Sequence, residues 1–309
     1  MIPLRPLERL PPVRVNVPPP GVKQVAPSPP VAKPPAIGPS PPAARTKFGI
    51  RGLDSMLGGG LLPARPYLLS GPTGSGKTLL GLQFLLEGIR LDEKVLLVAV
   101  DEPPAEILDN VRSFRWDLSR IHTLDANPGL QAFRRLGDVQ EIKALHDVKS
   151  MQEMTDPNRK TQTGEDISLQ SIYLKLRRQL EVVPFRRVLI DSMTAVRHFA
   201  LRAGEDLQTE RTEIQSLLRF LSEKGVTTLL TSQPSPPTVL TPETVLCRGE
   251  ISLSRQWVGH SMERWIWVSR MRGMAHDTRM RSFHIGTDGI TVASGEASET
   301  GGQAPATSP

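Results

Sequence analysis

The sequence predicts an α/β fold, a mainly parallel sheet flanked by helices that ends in a C-terminal β-hairpin region. Three observations carry it. Short apolar runs alternate with segments of helical period along most of the chain. A glycine-rich turn joins one such run to the start of a helix. The last part of the chain changes to alternating strands joined by a tight turn.

In order, Pro66-Tyr-Leu-Leu-Ser70 reads as a short strand, and Lys77 to about Leu91 as a helix crowded with leucine. Lys94 to Val100 is an apolar strand of the kind buried on both faces. Residues 103–113 read as helical, and the stretch from about 120 to 165 is polar and without clear period. Asp166 is placed to cap a helix with apolar residues at Leu169, Ile172, Leu176, Leu180 and Val183, which Pro184 stops. Val188 to Ile190 is a buried strand. A helix over about 205–224 lines up Leu207, Ile214, Leu217, Leu218 and Leu221 and ends at Gly225, and Val226 to Thr231 follows as a strand. Trp265 to Val268 alternates like a strand. Ser282 to Ile285, Asp288-Gly289 and Ile290 to Val292 read as a hairpin.

Composition divides the 309 residues into three. Residues 1–45 hold 15 of the 29 prolines, with six basic groups against the single acid Glu8, and read as a disordered, basic, proline-rich arm. Its PxxP steps suit a protein partner. Residues 46–293 form the domain, and 294–309 a second disordered tail. With the arm removed, basic and acidic groups nearly balance, so the high overall charge argues little for specific nucleic-acid binding. No apolar run is long enough to span a membrane, and no signal-peptide core is evident, so a cytoplasmic protein is expected. The lone Cys247 excludes an internal disulfide and a cysteine metal cage.

Gly71-Pro-Thr-Gly-Ser-Gly-Lys-Thr78 fits the phosphate-loop pattern completely, between a strand and a helix as that pattern requires. Gly71, Gly74 and Gly76 let the backbone curl around Pro72, which has no N–H, so that the N–H groups of Thr73, Gly74, Ser75 and Gly76 turn toward phosphate oxygens. Lys77 can reach the terminal phosphates of a bound nucleotide, and the Thr78 hydroxyl is suited to Mg2+. The second Mg2+ group is expected at the end of a later buried strand, where Asp191 stands. Asp101 and Glu102 end another strand. Glu102 is the first candidate to activate a water and Asp101 the alternate; either also fits a cap of the next helix. Ser232 and Gln233, just past a strand, are placed to sense a terminal phosphate.

Phe48-Gly-Ile-Arg-Gly-Leu-Asp-Ser-Met-Leu-Gly-Gly-Gly60 running into the loop, Asp101-Glu-Pro-Pro104 with Val111 to Asp117, and Ser269-Arg-Met-Arg-Gly-Met-Ala-His-Asp277 with Arg281-Ser-Phe283 resemble, in order, three blocks of the KaiC family of ATPases. The resemblance covers about 46–118 and 166–293. It implies a RecA-like P-loop NTPase core that forms a homo-oligomeric, usually hexameric, ring with ATP between subunits. It also implies that Arg270 and Arg272 project from one subunit toward the terminal phosphate held by its neighbour. Two positions depart from the family pattern. Arg270 stands where a lysine is usual, and Asp101-Glu102 where a Glu-Glu pair is usual. His276 reads as structural. The leading expectation is an Mg2+-dependent ATPase whose nucleotide state controls assembly or a partner surface. The alternatives are a Ser/Thr autokinase or protein kinase using hydroxyls of residues 231–244, an ATP-gated scaffold without turnover, and a recombinase-like DNA-binding protein.

Overall fold

The computed structural model describes residues 44–127, 169–202, 207–234 and 241–294. The expected arm and tail, apart from residues 44, 45 and 294, lie outside the described residues, as do Asp166 and residues 128–165 of the polar stretch.

The elements are α1 (Arg51–Met56), β1 (Pro66–Ser70), α2 (Lys77–Arg90), β2 (Val95–Ala99), α3 (Pro104–Asp109) and β3 (His122–Asp125). Then come α4 (Leu169–Val182), β4 (Arg187–Asp191), α5 (Met193–Arg202), α6 (Leu207–Glu223), β5 (Thr227–Ser232) and α7 (Pro242–Leu246). The chain closes with β6 (Gly249–Val258), β7 (Ser261–Met271), β8 (Arg281–Gly286) and β9 (Gly289–Val292). Among the described residues the strands form one nine-stranded sheet in the order β3-β2-β4-β5-β1-β6-β7-β8-β9. The first six in that order pair in parallel, and β6 to β9 pair antiparallel.

The parallel strands are apolar on consecutive residues because both faces are covered. Leu97 and Ala99 of β2 pack with Leu80 and Phe84 of α2 on one face. Leu96 and Val98 pack with Leu176 of α4 and with Ile214 and Leu218 of α6 on the other. The helical spacing read from the sequence therefore marks real buried stripes: Ile172, Leu176 and Leu180 on α4, and Ile214, Leu217, Leu218 and Leu221 on α6. Gly225, at φ +77°, reverses the chain after α6.

Several elements differ from expectation. The helix expected over 103–113 closes at Asp109; Asn110 to Phe114 turn back so that Val111 is buried. Strand β3 emerges from the start of the polar stretch, held edge-on to β2. Strand β6 has no clear apolar signature. Its first half, Gly249 to Leu253, lies in the sheet interior, whereas Arg255 to Val258 are exposed and held chiefly by the ladder to β7. Among the described residues no helix is long and apolar enough to cross a membrane.

One charged side chain ties the sheet to the elements around it. Arg187 opens β4 and is 1% exposed. Its Nε donates to Glu93, and Nη1 donates to the carbonyls of Lys47 (2.6 Å) and Phe84 (2.9 Å). The guanidinium also lies over the Phe84 ring, 4.8 Å from its centroid. A buried cation with one acidic partner is costly to strand. Glu93→Ala is therefore expected to lower stability by about 3 kcal/mol, read as a shift in urea midpoint at constant slope. An unchanged midpoint would show that the carbonyls alone hold Arg187.

Candidate functional site

The site forms where the parallel strands end. Strands β1, β2, β4 and β5 share one direction, so Ser70, Ala99, Asp191 and Ser232 all finish at one edge of the sheet. In parallel sheets the ligand crevice opens at that edge. There, a cleft of about 440 Å3 is bounded by Thr73, Gly74, Gly76, Lys77 and Thr78 on the loop and by Asp101, Glu102 and Asp191 on the strand ends. Ile107, Val111, Phe114 and Ile285 give it an apolar wall.

The loop curls as its glycines allow. Gly74 and Gly76 have φ of +74° and +99°, values that an L side chain resists. Lys77 opens α2, and its Nζ donates to the carbonyls of Gly71 (2.7 Å) and Pro72 (3.0 Å), which holds the ammonium inside the curl. Burial lowers the Lys77 pKa below its ordinary value, against the pull of Asp191 and Asp101. Ser75 is fully buried beneath the loop.

Asp191 is the best-held acid of the site. Its Oδ2 accepts from the Thr78 hydroxyl at 2.7 Å, and its Oδ1 accepts from the Thr231 hydroxyl of β5. Burial raises its pKa; the two threonine hydroxyls and Lys77 oppose the rise, and the negative charge of Asp101 adds to it. Asp101 accepts from the Ser192 hydroxyl at 2.5 Å. Glu102 is exposed, and a long contact of 3.5 Å from Asn110 Nδ2 is its recorded bond. Gln233 Nε2 donates to Thr73 Oγ1 at 3.3 Å, and Ser232 bonds to the buried Glu243 at 3.1 Å.

Of the residues singled out from the sequence, the structure gathers the phosphate loop, Thr78, Asp191, Asp101 and Glu102 into this cleft. Arg270 and Arg272 are elsewhere. Arg272 N bonds to Arg248 O, and Arg248 N to Pro66 O, which sets Arg272 level with the start of β1. The five residues of β1 lie between it and the loop, a span of about 16 Å. Their guanidinia donate to the carbonyls of Thr244 (Arg270) and Val245 (Arg272, 3.1 Å) at the end of α7. His276 Nδ1 contacts the Met274 carbonyl at 3.2 Å, a local structural bond. The sequence presents Thr231 only as one of the hydroxyls of residues 231–244 and does not single out Ser192; a hydroxyl beside a strand-end carboxylate becomes visible only when strand order is known.

The chain can now be set beside known proteins. The ATPase family described as KaiC matches residues 46–297. The chain belongs to the KaiC family of ATPases. The circadian clock oscillator protein KaiC of Prochlorococcus marinus is 30% identical over 255 residues, covering 79% of this chain and 44% of its own. The circadian clock protein KaiC2 of Synechocystis is 28% identical, covering 79% and 39%. This chain thus spans less than half the length of those clock relatives. The UPF0273 protein PH0284 of Pyrococcus horikoshii is nearer in size, 28% identical with 80% of this chain and 93% of that one matched. A crystal structure of the KaiC-like protein PH0186 of the same archaeon superposes with a TM-score of 0.61 at 26% identity, over 82% of this chain and all of that one. The fold is the RecA-like P-loop NTPase fold, its parallel sheet extended by the C-terminal hairpin strands.

The loop geometry makes one prediction independent of any ligand. At Gly76 a Cβ would meet only side-chain carbons at 3.5 Å or more, so space is adequate and the backbone angle is the obstacle. Gly76→Ala should cost about 1–2 kcal/mol in thermal unfolding; a neutral result would mean that the loop relaxes freely.

Proposed function

We propose that this chain binds ATP with Mg2+ in the cleft, transfers the terminal phosphoryl group to water, and couples nucleotide state to assembly with further copies of itself. The observation that carries the reading is the 2.7 Å contact between Thr78 and Asp191 at the foot of the phosphate loop. A hydroxyl and a carboxylate from two elements converge there, and Thr78 and Asp191 are the groups that would hold Mg2+. Among the described residues no three His, Cys, Asp or Glu side chains converge as a cage, and Mg2+ in phosphoryl transfer is generally held by one or two protein groups. Bound there, it would neutralise charge on the terminal phosphates.

The other roles follow from surroundings. Loop amides and Lys77 hold the phosphates. Glu102 is the base that orients or deprotonates the attacking water. Asp101, already accepting a short bond from Ser192, is the weaker base and positions its neighbour. Gln233 touches the loop at Thr73 and senses phosphate occupancy. Arg270 and Arg272 serve the neighbouring subunit's nucleotide; their distance from their own loop supports action in trans. Residues 46–293 are the ATPase domain, with the proline-rich arm left for a protein partner.

Hydrolysis is preferred to self-phosphorylation on one observation. Of the hydroxyls described within 231–244, Thr231 and Ser232 are buried and bonded, and Thr241 and Thr244 bond to each other at 2.8 Å. Apart from residues 235–240, which lie outside the described residues, none borders its own cleft.

Incubation with ATP labelled at the terminal phosphate tests the reading. Free labelled phosphate is the expected product; label on the protein would support the kinase alternative, and intact bound ATP a scaffold. Lys77→Ala should abolish ATP binding in equilibrium dialysis. Glu102→Gln should keep ATP and lose turnover by about 100-fold or more, with Asp101→Asn milder. Neither Arg272→Ala nor Lys77→Ala should hydrolyse ATP alone, whereas mixed assemblies should recover activity. Confirmed mixing without recovery would count against an arginine in trans.

A further inference from the structure

Strand β6 reaches past the sheet edge and brings an arginine onto the phosphate loop. Ser252 of β6 is level with Ser70, the last residue of β1. Arg255 is three residues farther on, about 10 Å beyond that edge. A Cβ placed on Gly74 would lie 2.7 Å from Arg255 Nη1 and 3.2 Å from its Cζ. The guanidinium therefore rests against the apex of the loop.

The direction of approach matters. In the order β2-β4-β5-β1-β6, the carboxylates Asp101 and Asp191 lie on one side of β1 and Arg255 on the other. Arg255 shares a sheet face with Leu253, two residues earlier, and Leu253 packs in the core with α2. That face looks toward the start of α2, where the field favours an anion.

The charge is also uncompensated. Among the described residues Arg255 has no ion pair or hydrogen bond. Its directly opposed neighbour on β7 is Arg264. Like charges facing across antiparallel strands destabilise the pair. Arg264 Nε is itself buried without a hydrogen-bond partner. Glu263 is opposite Gln256, on the other face of the ribbon. The register thus sets two arginines opposite each other on β6 and β7, and the guanidinium of one of them, Arg255, lies against a loop shaped for phosphate.

We propose that Arg255 is a nucleotide-binding residue acting within its own subunit, where it supplies a second positive charge to the polyphosphate at the Gly74 end of the loop. The inference rests on the ATP reading of the cleft and adds a contact to it. It is distinct from the proposed roles of Arg270 and Arg272, which stand at the opposite end of β1. A bound polyphosphate would also relieve the Arg255–Arg264 repulsion, so binding should stiffen the β6–β7 hairpin.

The test measures binding of ATP and ADP to the full chain over a range of salt, for wild type, Arg255→Gln, Arg255→Lys and Lys77→Ala. Sedimentation of each variant fixes its assembly state. Arg255→Gln keeps length and polarity, so it should fold and assemble normally. It should bind ATP about ten-fold more weakly and with a shallower dependence on salt, because one cation fewer meets the phosphates. Arg255→Lys should recover most of the loss. If Arg255→Gln binds ATP like wild type, or weakens with an unchanged salt slope, or loses assembly while keeping affinity, the proposal is overturned. Those failures leave the cleft assignment standing, since wild type would still bind and Lys77→Ala would not. A wild-type chain that binds no ATP overturns the reading beneath both.

Discussion

A carboxylate 9% exposed is expensive unless other groups hold it, and Asp191 is held from two directions. Thr78 approaches from the first turn of α2, and Thr231 from the adjacent β5. Both contacts exist only if β4, β5 and the strand leading into the loop end together. One parallel register therefore satisfies the buried acid, seats the helix that follows the loop, and opens the cleft. A one-residue slip of β4 against β5 would turn Asp191 toward the opposite face and leave Thr231 and Thr78 without their acceptor. The site is a consequence of sheet register as much as of the loop motif.

Strand β6 belongs to two systems. Its first residues pair in parallel with β1, and its whole length pairs antiparallel with β7. Because the β6–β7 ribbon is longer than the five-residue β1, it extends along that strand's whole length and beyond it. Its tip overhangs the loop and carries Arg255; its base carries Arg270 and Arg272 beside the carbonyls that close α7. The hairpin strands β8 and β9 fix this ribbon in turn. The turn between them is pinned by Trp116 Nε1 donating to Asp288 O at 3.2 Å, and Ile290 N donates to Gln83 Oε1 of α2 at 2.7 Å. The C-terminal strands thus reach the site, where Ile285 of β8 lines the cleft, rather than forming a separate appendage.

What could be read from the sequence divides along physical lines. Strands β1, β2, β4 and β5 announced themselves because burial on both faces leaves a run of apolar residues that no solvated segment carries. Helices α4 and α6 did so through their stripes. Strand β6 did not, because its outer half, Arg255 to Val258, is polar or exposed and is fixed by pairing with a distant segment. Helix α5 was invisible for another reason. Met193, Ala195 and Val196 are buried, but the helix is ten residues long and only Ser192 separates it from β4, so its short stripe runs on from the apolar strand. The phosphate loop and Asp191 were legible because each is a local pattern. Thr231, Ser192 and Arg255 reach Asp191, Asp101 and the loop only through strand order, which residue spacing does not encode. Arg270 and Arg272 were named through family likeness, and nothing in their spacing would have separated them from a solvated strand end.

Charge explains why the cations are spread so widely. Asp101, Glu102 and Asp191 bring three carboxylates into the cleft, and Lys77 answers one of them. Lys77 is itself partly desolvated, so its charge costs more to keep there than on the surface. A polyphosphate would add several negative charges, of which a Mg2+ held at Thr78 and Asp191 would offset two. Concentrating more lysine or arginine within the cleft would neutralise the carboxylates that the chemistry needs free. The arrangement that resolves this conflict keeps the acids on the β2–β4 side of β1 and brings cations in from outside. Arg255 approaches from the β6 side of the same chain, and under the proposed function Arg270 and Arg272 of another copy would add further positive charge. Under the proposed ATPase reading, arginines from another copy would add positive charge where negative charge develops, which would couple assembly to phosphoryl transfer.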